Sequence, residues 1–269
     1  MLNHKYGYRM TAASLLLVGL LVLAGCAASG QKTVGDDAIA ADKNVLRVVV
    51  TPDAPPLIFK QNGKIIGLEA EFARALADDL GKALQFVELK WKNQIPALLE
   101  NRIDIIMSGM VIDPIKEVRI AFCDPYFKSA LMALIRIEDL NRFSIGFFSL
   151  STNSAIGAIQ DTTGARFLKT YFTSVKKEFF STTRPAVKAL LDKKIDMFIY
   201  GAPMVFYLAS ENENKGLTAL PFFLAGEDLA WAVRKDNTEL LAAANKFTQN
   251  PANEKKLKQM IHRWIPFTK

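Results

Sequence analysis

Leu46-Arg47-Val48-Val49-Val50 is the stretch from which the fold is read: a short, nearly continuous apolar run rich in β-branched residues. Such a run marks a buried strand. Outward from it, Phe72, Ala73, Leu76, Ala77 and Leu80 recur at helical spacing, with Gly81 as a stop. A strand is expected around 85–89, a helix around 95–100, and strands at 103–107 and 130–137. The pattern then restarts. Strands at 144–148, 177–180, 195–200 and 229–234 alternate with helical stretches at 153–172, 185–191, 203–209, 239–247 and 254–264. Alternation of this kind predicts an α/β fold with mostly parallel sheets, and two such series predict two lobes.

Ahead of this region, Lys5 and Arg9 precede the apolar run Leu15-Leu16-Leu17-Val18-Gly19-Leu20-Leu21-Val22, and small residues follow. That order is a signal peptide over 1–25. A membrane span needs about 20 apolar residues, and this run is shorter. Leu23-Ala24-Gly25-Cys26 resembles the bacterial lipoprotein lipobox, which implies a diacylated Cys26 as the first mature residue. Residues 26–44 then read as the lipidated cysteine and a flexible tether of Ala, Ser, Gly, Asp and Lys. The expected location is the cell envelope, facing the periplasm or the cell surface on a lipid anchor.

Removing the signal leaves roughly 240 residues, enough for two lobes of ordinary size. Without Lys5 and Arg9, the 34 basic residues fall to 32, against 27 acidic ones. The excess is scattered, and no Lys/Arg run with interleaved aromatics suggests nucleic acid. With Cys26 acylated, Cys123 has no disulfide partner and reads as a small packed residue. His262 is the one histidine beyond the signal, so neither a Cys/His dyad, a metal site nor a cofactor is expected.

Several segments, in order, resemble the bacterial extracellular solute-binding proteins of family 3, the amino-acid-binding kind. They are Thr51 through Pro55-Pro56-Leu57; Asn62-Gly63-Lys64-Ile65-Ile66-Gly67-Leu68-Glu69; Trp91 through Ile95-Pro96-Ala97-Leu98-Leu99; Arg102 through Met110; Phe122-Cys123-Asp124-Pro125-Tyr126-Phe127; Ile195-Asp196; and Ala202-Pro203. The resemblance covers about 45–267. It implies a type II periplasmic-binding-protein fold, a two-lobed clamp with two hinge crossovers near 135–138 and 226–229. Lobe 1 is then 45–135 plus 229–269, and lobe 2 is 136–228. It also implies a monomer, a small-molecule ligand between the lobes and an ABC permease as partner.

Position by position, the resemblance implies a ligand site at Trp91, Ser108, Gly109, Met110, Val111, Lys116, Ser151, Thr152 and Gly201, to which Asp53 is added as an acid of the first loop. Several of these depart from the family's pattern. Val111 replaces a threonine, Lys116 the carboxylate-clamping arginine, Gly201 the ammonium-binding aspartate, and Ala54 an aromatic. Arginine offers a planar fork where lysine offers a mobile point charge, and Gly201 offers an ammonium nothing. Glu227, Asp228 and Asp53 are the nearest acids that could take that part. The leading expectation is a binding protein for a small polar or anionic ligand. The alternatives are a degenerate module acting as an envelope sensor or interaction protein, and an enzyme similar to the periplasmic cyclohexadienyl dehydratases.

Overall fold

The structure is a computed structural model that describes residues 44–144, 150 and 152–266. Cys26, the signal, nearly all of the tether, Ser151 and most of the strand expected at 144–148 lie outside the described residues. By internal contacts the chain divides into Met1–Ile39 and Ala40–Lys269. All described residues belong to the second unit.

The first half forms β1 (Val45–Val50), β2 (Asp53–Ala54), β3 (Ile58–Gln61), β4 (Lys64–Ile66), α1 (Leu68–Asp79), β5 (Ala83–Glu88), α2 (Gln94–Leu99), β6 (Ile105–Ile106), α3 (Pro114–Glu117) and β7 (Ala121–Phe122). A long strand follows, β8 (Phe127–Arg136), and a short helix, α4 (Leu140–Phe143). The second half holds β9 (Ala155–Ile159), α5 (Thr163–Tyr171), β10 (Lys176–Phe180), α6 (Thr183–Leu191), β11 (Met197–Gly201), α7 (Ala202–Glu211), β12 (Leu217–Ala219) and β13 (Ala225–Leu229). The chain closes with β14 (Ala232–Val233), α8 (Thr238–Gln249) and α9 (Pro251–Trp264).

These elements build two sheets, one per lobe, and a small antiparallel sheet β2-β3-β4. The first has the order β5-β1-β6-β14-β7, with β1 parallel to both neighbours and β14 antiparallel to both of its own. The second has the order β10-β9-β11-β8-β12, with β13 added along β8. Here β9 runs parallel to β10 and β11, while β8 runs antiparallel to β11, β12 and β13. The sheets are thus more mixed than mostly parallel. Helix-linked strands pair in parallel, and the strands that carry the chain between lobes pair antiparallel.

Buried side chains fall into separate clusters in the two lobes. Phe72, Leu76, Trp231 and Phe247 anchor the first, and Leu190, Phe198 and Val205 the second. Trp231 is almost fully buried and Trp264 packs on the same core. Gly67, just before α1, sits at φ 117°, and a Cβ there would lie 2.4 Å from the Leu57 carbonyl oxygen. Only glycine fits.

The lobes are joined by the β8–β13 ribbon. Leu131–Arg136 belong to the second sheet through β11 and β12, whereas Phe127, Lys128 and Ser129 pair with Leu229, Asp228 and Glu227 of β13. A ribbon of two extended strands twists at little cost, which suits a hinge.

The stretch 153–172 is not one helix. Ala155–Ile159 is a buried parallel strand, and the helix begins only at Thr163.

Candidate functional site

A cavity of about 80 Å³ lies between the lobes, lined by residues of both and of the hinge. Its first wall comes from loops at strand ends. Thr51, after β1, donates its backbone N–H to Ser108 Oγ at 2.7 Å. Behind them the buried Gln94 donates Nε2–H to Thr51 Oγ1 at 2.6 Å and to Ser108 Oγ at 2.9 Å. Together these bonds lock the loops after β1 and β6. Gly109, at φ 69°, turns the chain there and donates its N–H to Glu69 Oε1 at 2.7 Å.

Glu69 is fully buried. It also accepts from Tyr126 Oη at 2.6 Å and from Trp231 Nε1 at 2.9 Å. Burial pushes its carboxyl up to about 7, against the three donors, which favour the ionised form. Tyr126 and Trp231 thus do more than pack: they fix the acid that fixes Gly109.

Lys116 reaches the cavity from α3, a helix capped by Asp113, whose Oδ1 accepts from Ile115 N at 3.0 Å. Its ammonium lies 5.6 Å from the centre of the Trp91 ring and 3.9 Å from Asp113 Oδ2. Burial lowers the Lys116 pKa; Asp113 opposes this and the Arg166 guanidinium adds to it. Burial alone works to raise Asp113. The hydrogen bonds from Arg166 and Ile115 N–H and the charges of Lys116 and Arg166 outweigh it, holding that carboxyl below its ordinary value.

The second wall is the start of α5. Asp161 takes a left-handed turn at φ 60°. Thr162 then caps the helix, its Oγ1 accepting from Ala165 N at 3.3 Å. Thr162, Thr163 and Gly164 line the cavity, with Thr183 at the start of α6 and Tyr200 and Gly201 at the end of β11. Helix starts present unpaired N–H groups, which suit anionic ligand atoms. Two contacts tie the walls together: Trp91 Nε1 donates to the Asp161 carbonyl at 3.2 Å, and Arg166 pairs with Asp113.

The hinge supplies a third side. Ser129 and Glu227 are direct cross-strand partners on β8 and β13, and both line the cavity. Glu227 is buried, and its Oε1 accepts from Thr163 Oγ1. Burial raises its pKa; Thr163, Lys116 and Arg166 work the other way.

Of the residues expected at the site, Asp53, Trp91, Ser108 and Gly109 line this cavity, as do Val111, Lys116 and Gly201. Met110 does not. Its side chain is buried with Leu98 and Ile106, and its carbonyl accepts from Ala230 N at 2.9 Å. Thr152 is exposed and outside the lining, and Ser151 lies outside the described residues. The helical stretch expected from 153 begins only at Thr163 because β9 intervenes, and Thr162, Thr163 and Gly164 at that start line the cavity. An N-cap threonine before an amphipathic stretch marked it in the sequence. Ser129 and Tyr200 line the cavity without having been among the residues expected there. Among the described residues, no cluster of His, Cys, Asp and Glu could hold a metal ion.

Comparison with known proteins agrees with this fold. The family described as "Bacterial extracellular solute-binding proteins, family 3" matches residues 46–267. The octopine-binding periplasmic protein of Rhizobium meliloti is 25% identical over 87% of this chain and 84% of its own length. The arginine-binding extracellular protein ArtP of Bacillus subtilis is 24% identical over 93% and 96%. Among solved structures, the ancestral amino acid-binding protein AncCDT-1, a precursor of cyclohexadienyl dehydratase, superimposes with a TM-score of 0.75 at 26% identity, covering 82% of this chain and 95% of that one.

Proposed function

Since the chain belongs to the bacterial extracellular solute-binding proteins of family 3, we propose that it is the lipid-anchored receptor of an ABC importer. It works at the envelope, held by acylated Cys26, and closes on a small polar ligand that carries an anionic group. The observation that carries this reading is the cavity itself: loops of one lobe, helix starts of the other and both hinge strands converge on it, with the Lys116 ammonium inside. Closure is favourable when the ligand touches both walls, because only contacts that differ between open and closed forms shift that balance. The relatives named for octopine and arginine support an amino-acid-like ligand.

Thermal unfolding of the stripped protein against a metabolite library tests the receptor. A ligand at a hundred times its Kd adds about 2.7 kcal/mol of stability. No shift with any member supports the degenerate-module reading, which the replaced residues Lys116, Gly201 and Ala54 favour. Incubation with prephenate and arogenate, followed by absorbance, tests the dehydratase reading that the buried acid Glu227 suggests. Intact mass of the membrane-extracted protein tests the anchor: acyl chains are expected on Cys26 and absent from Cys26→Ser.

A further inference from the structure

Gly201 stands where the family's ammonium-binding aspartate is expected, yet the space beside it is not without an acid. A Cβ built on Gly201 would lie 3.6 Å from Glu227 Oε2 and would meet nothing else within 4 Å. Glu227 reaches this point from the hinge strand β13, not from the lobe that carries Gly201's own wall. Its Oε1 is held by Thr163, which orients the carboxylate, and among the described residues no donor hydrogen-bonds Oε2.

A second polar atom faces the same place. Ser129 is the cross-strand partner of Glu227, so the two side chains leave the same face of the ribbon. Among the described residues Ser129 Oγ is buried without a hydrogen-bond partner, and Ser129 lines the cavity. A buried hydroxyl left unpaired is costly until a partner arrives, and the Glu227 carboxylate beside it faces the cavity. A group with several N–H donors and a positive charge satisfies both at once.

We infer that Glu227 and Ser129 form an ammonium subsite on the hinge, replacing the one lost at Gly201, so that the ligand is a zwitterion with its amine at Glu227 and its anionic group at Lys116. This rests on the receptor reading above and names its ligand class. The missing Cβ at Gly201 is what leaves room for the amine. Because the acid sits on the strands that twist during closure, the amine bridges hinge and lobes.

Calorimetric titration of the full-length protein tests this. The probes are L-arginine, L-lysine, L-glutamine, L-cystine and octopine, followed by the des-amino counterpart of each that binds. The variants are Glu227→Gln, which keeps the shape and an acceptor for Thr163, Ser129→Ala, and Gly201→Asp combined with Glu227→Gln. Glu227→Gln is expected to weaken the amine-bearing probe at least about 30-fold and its des-amino counterpart hardly at all. Ser129→Ala is expected to cost less, about three- to tenfold. Returning the charge with Gly201→Asp is expected to recover most of the loss. Equal weakening of both probes, or none, overturns the subsite and leaves the receptor reading standing. Failure of every probe to bind the wild type overturns the zwitterion assignment, whereas the library screen judges the receptor.

Discussion

The Lys116 ammonium lies 5.6 Å from the centre of the Trp91 ring, so the one cation that α3 sends into the cavity is seated on an aromatic face. That contact, with the Asp113 carboxylate 3.9 Å away, holds a mobile side chain over the cleft, where its N–H donors can meet an anion. The expected consequence is direct. Lys116→Met weakens a carboxylate-bearing ligand at least tenfold, about the worth of one charge-assisted hydrogen bond, and Lys116→Arg retains binding. Burial also lowers the Lys116 pKa. Anion binding needs the protonated form, so affinity is expected to fall on the alkaline side sooner than an ordinary lysine allows. Titration calorimetry between about pH 7 and 10 reads this; affinity unchanged in Lys116→Met would remove Lys116 from the site.

Arg166 and Asp113 pair across the cleft, one from α5 and the other at the start of α3. Arg166 is partly exposed, at 42%, so screening limits the pair to about 0.2–1 kcal/mol. Arg166→Ala is therefore expected to shift the unliganded protein toward the open form and weaken ligand by no more than about fivefold. Small-angle scattering without ligand should show a larger radius of gyration in the variant. An unchanged profile would mean the pair does not hold the lobes together.

How much of this was legible in the sequence depended on distance along the chain. The β1 run is apolar and β-branched, and it forms as read. Ala155-Ile156-Gly157-Ala158-Ile159 is also apolar but lacks a period, and its alanines favour helix. What makes it a strand is tertiary: a Cβ on Gly157 would lie 2.7 Å from Ile195 Cδ1 and 2.8 Å from the Phe180 ring. Reading that stretch as helix put the helix start at 153, ten residues ahead of Thr163. The departures at Lys116 and Gly201 were readable because they sit inside local motifs. Glu227 was readable only as one of three acids that could serve there; that it lies beside Gly201 follows from the register of β13 on β8.

Gly67→Ala is expected to be among the costliest single-methyl changes in the first lobe. The residue sits at φ 117°, and the added Cβ would meet the Leu57 carbonyl carbon at 2.8 Å as well as its oxygen. Both contacts are backbone, and the Leu57 carbonyl also accepts from Glu69 N at 2.9 Å, so relief would disturb the start of α1. A loss of about 2–4 kcal/mol is expected in urea unfolding. Gly63→Ala serves as a comparison, because its φ of 75° is also positive but a Cβ there meets nothing within 4 Å. Equal losses in the two variants would count against the Leu57 contacts as the source of the cost.

Glu69 couples the acid–base state of the core to the cleft, since the carboxylate that titrates is the one that holds Gly109 N–H. Its carboxyl is raised from 4.5 to about 7 by burial. Between these values the unfolded chain releases the proton while the folded protein keeps it, so the unfolded state binds fewer protons and stability falls as pH rises. Below 4.5 both states are protonated and above about 7 both are ionised, so the contribution is full on the acid side and lost on the other. The slope is at most about 1.4 kcal/mol per pH unit. Glu69→Gln is expected to remove this slope from the difference between variant and wild type. It should also lower stability throughout by about 1–3 kcal/mol, because an amide nitrogen facing Trp231 Nε1–H leaves that donor unpaired. Urea unfolding at half-unit pH steps distinguishes the two effects, and a wild-type curve parallel to the variant's would show that Glu69 does not titrate in this window.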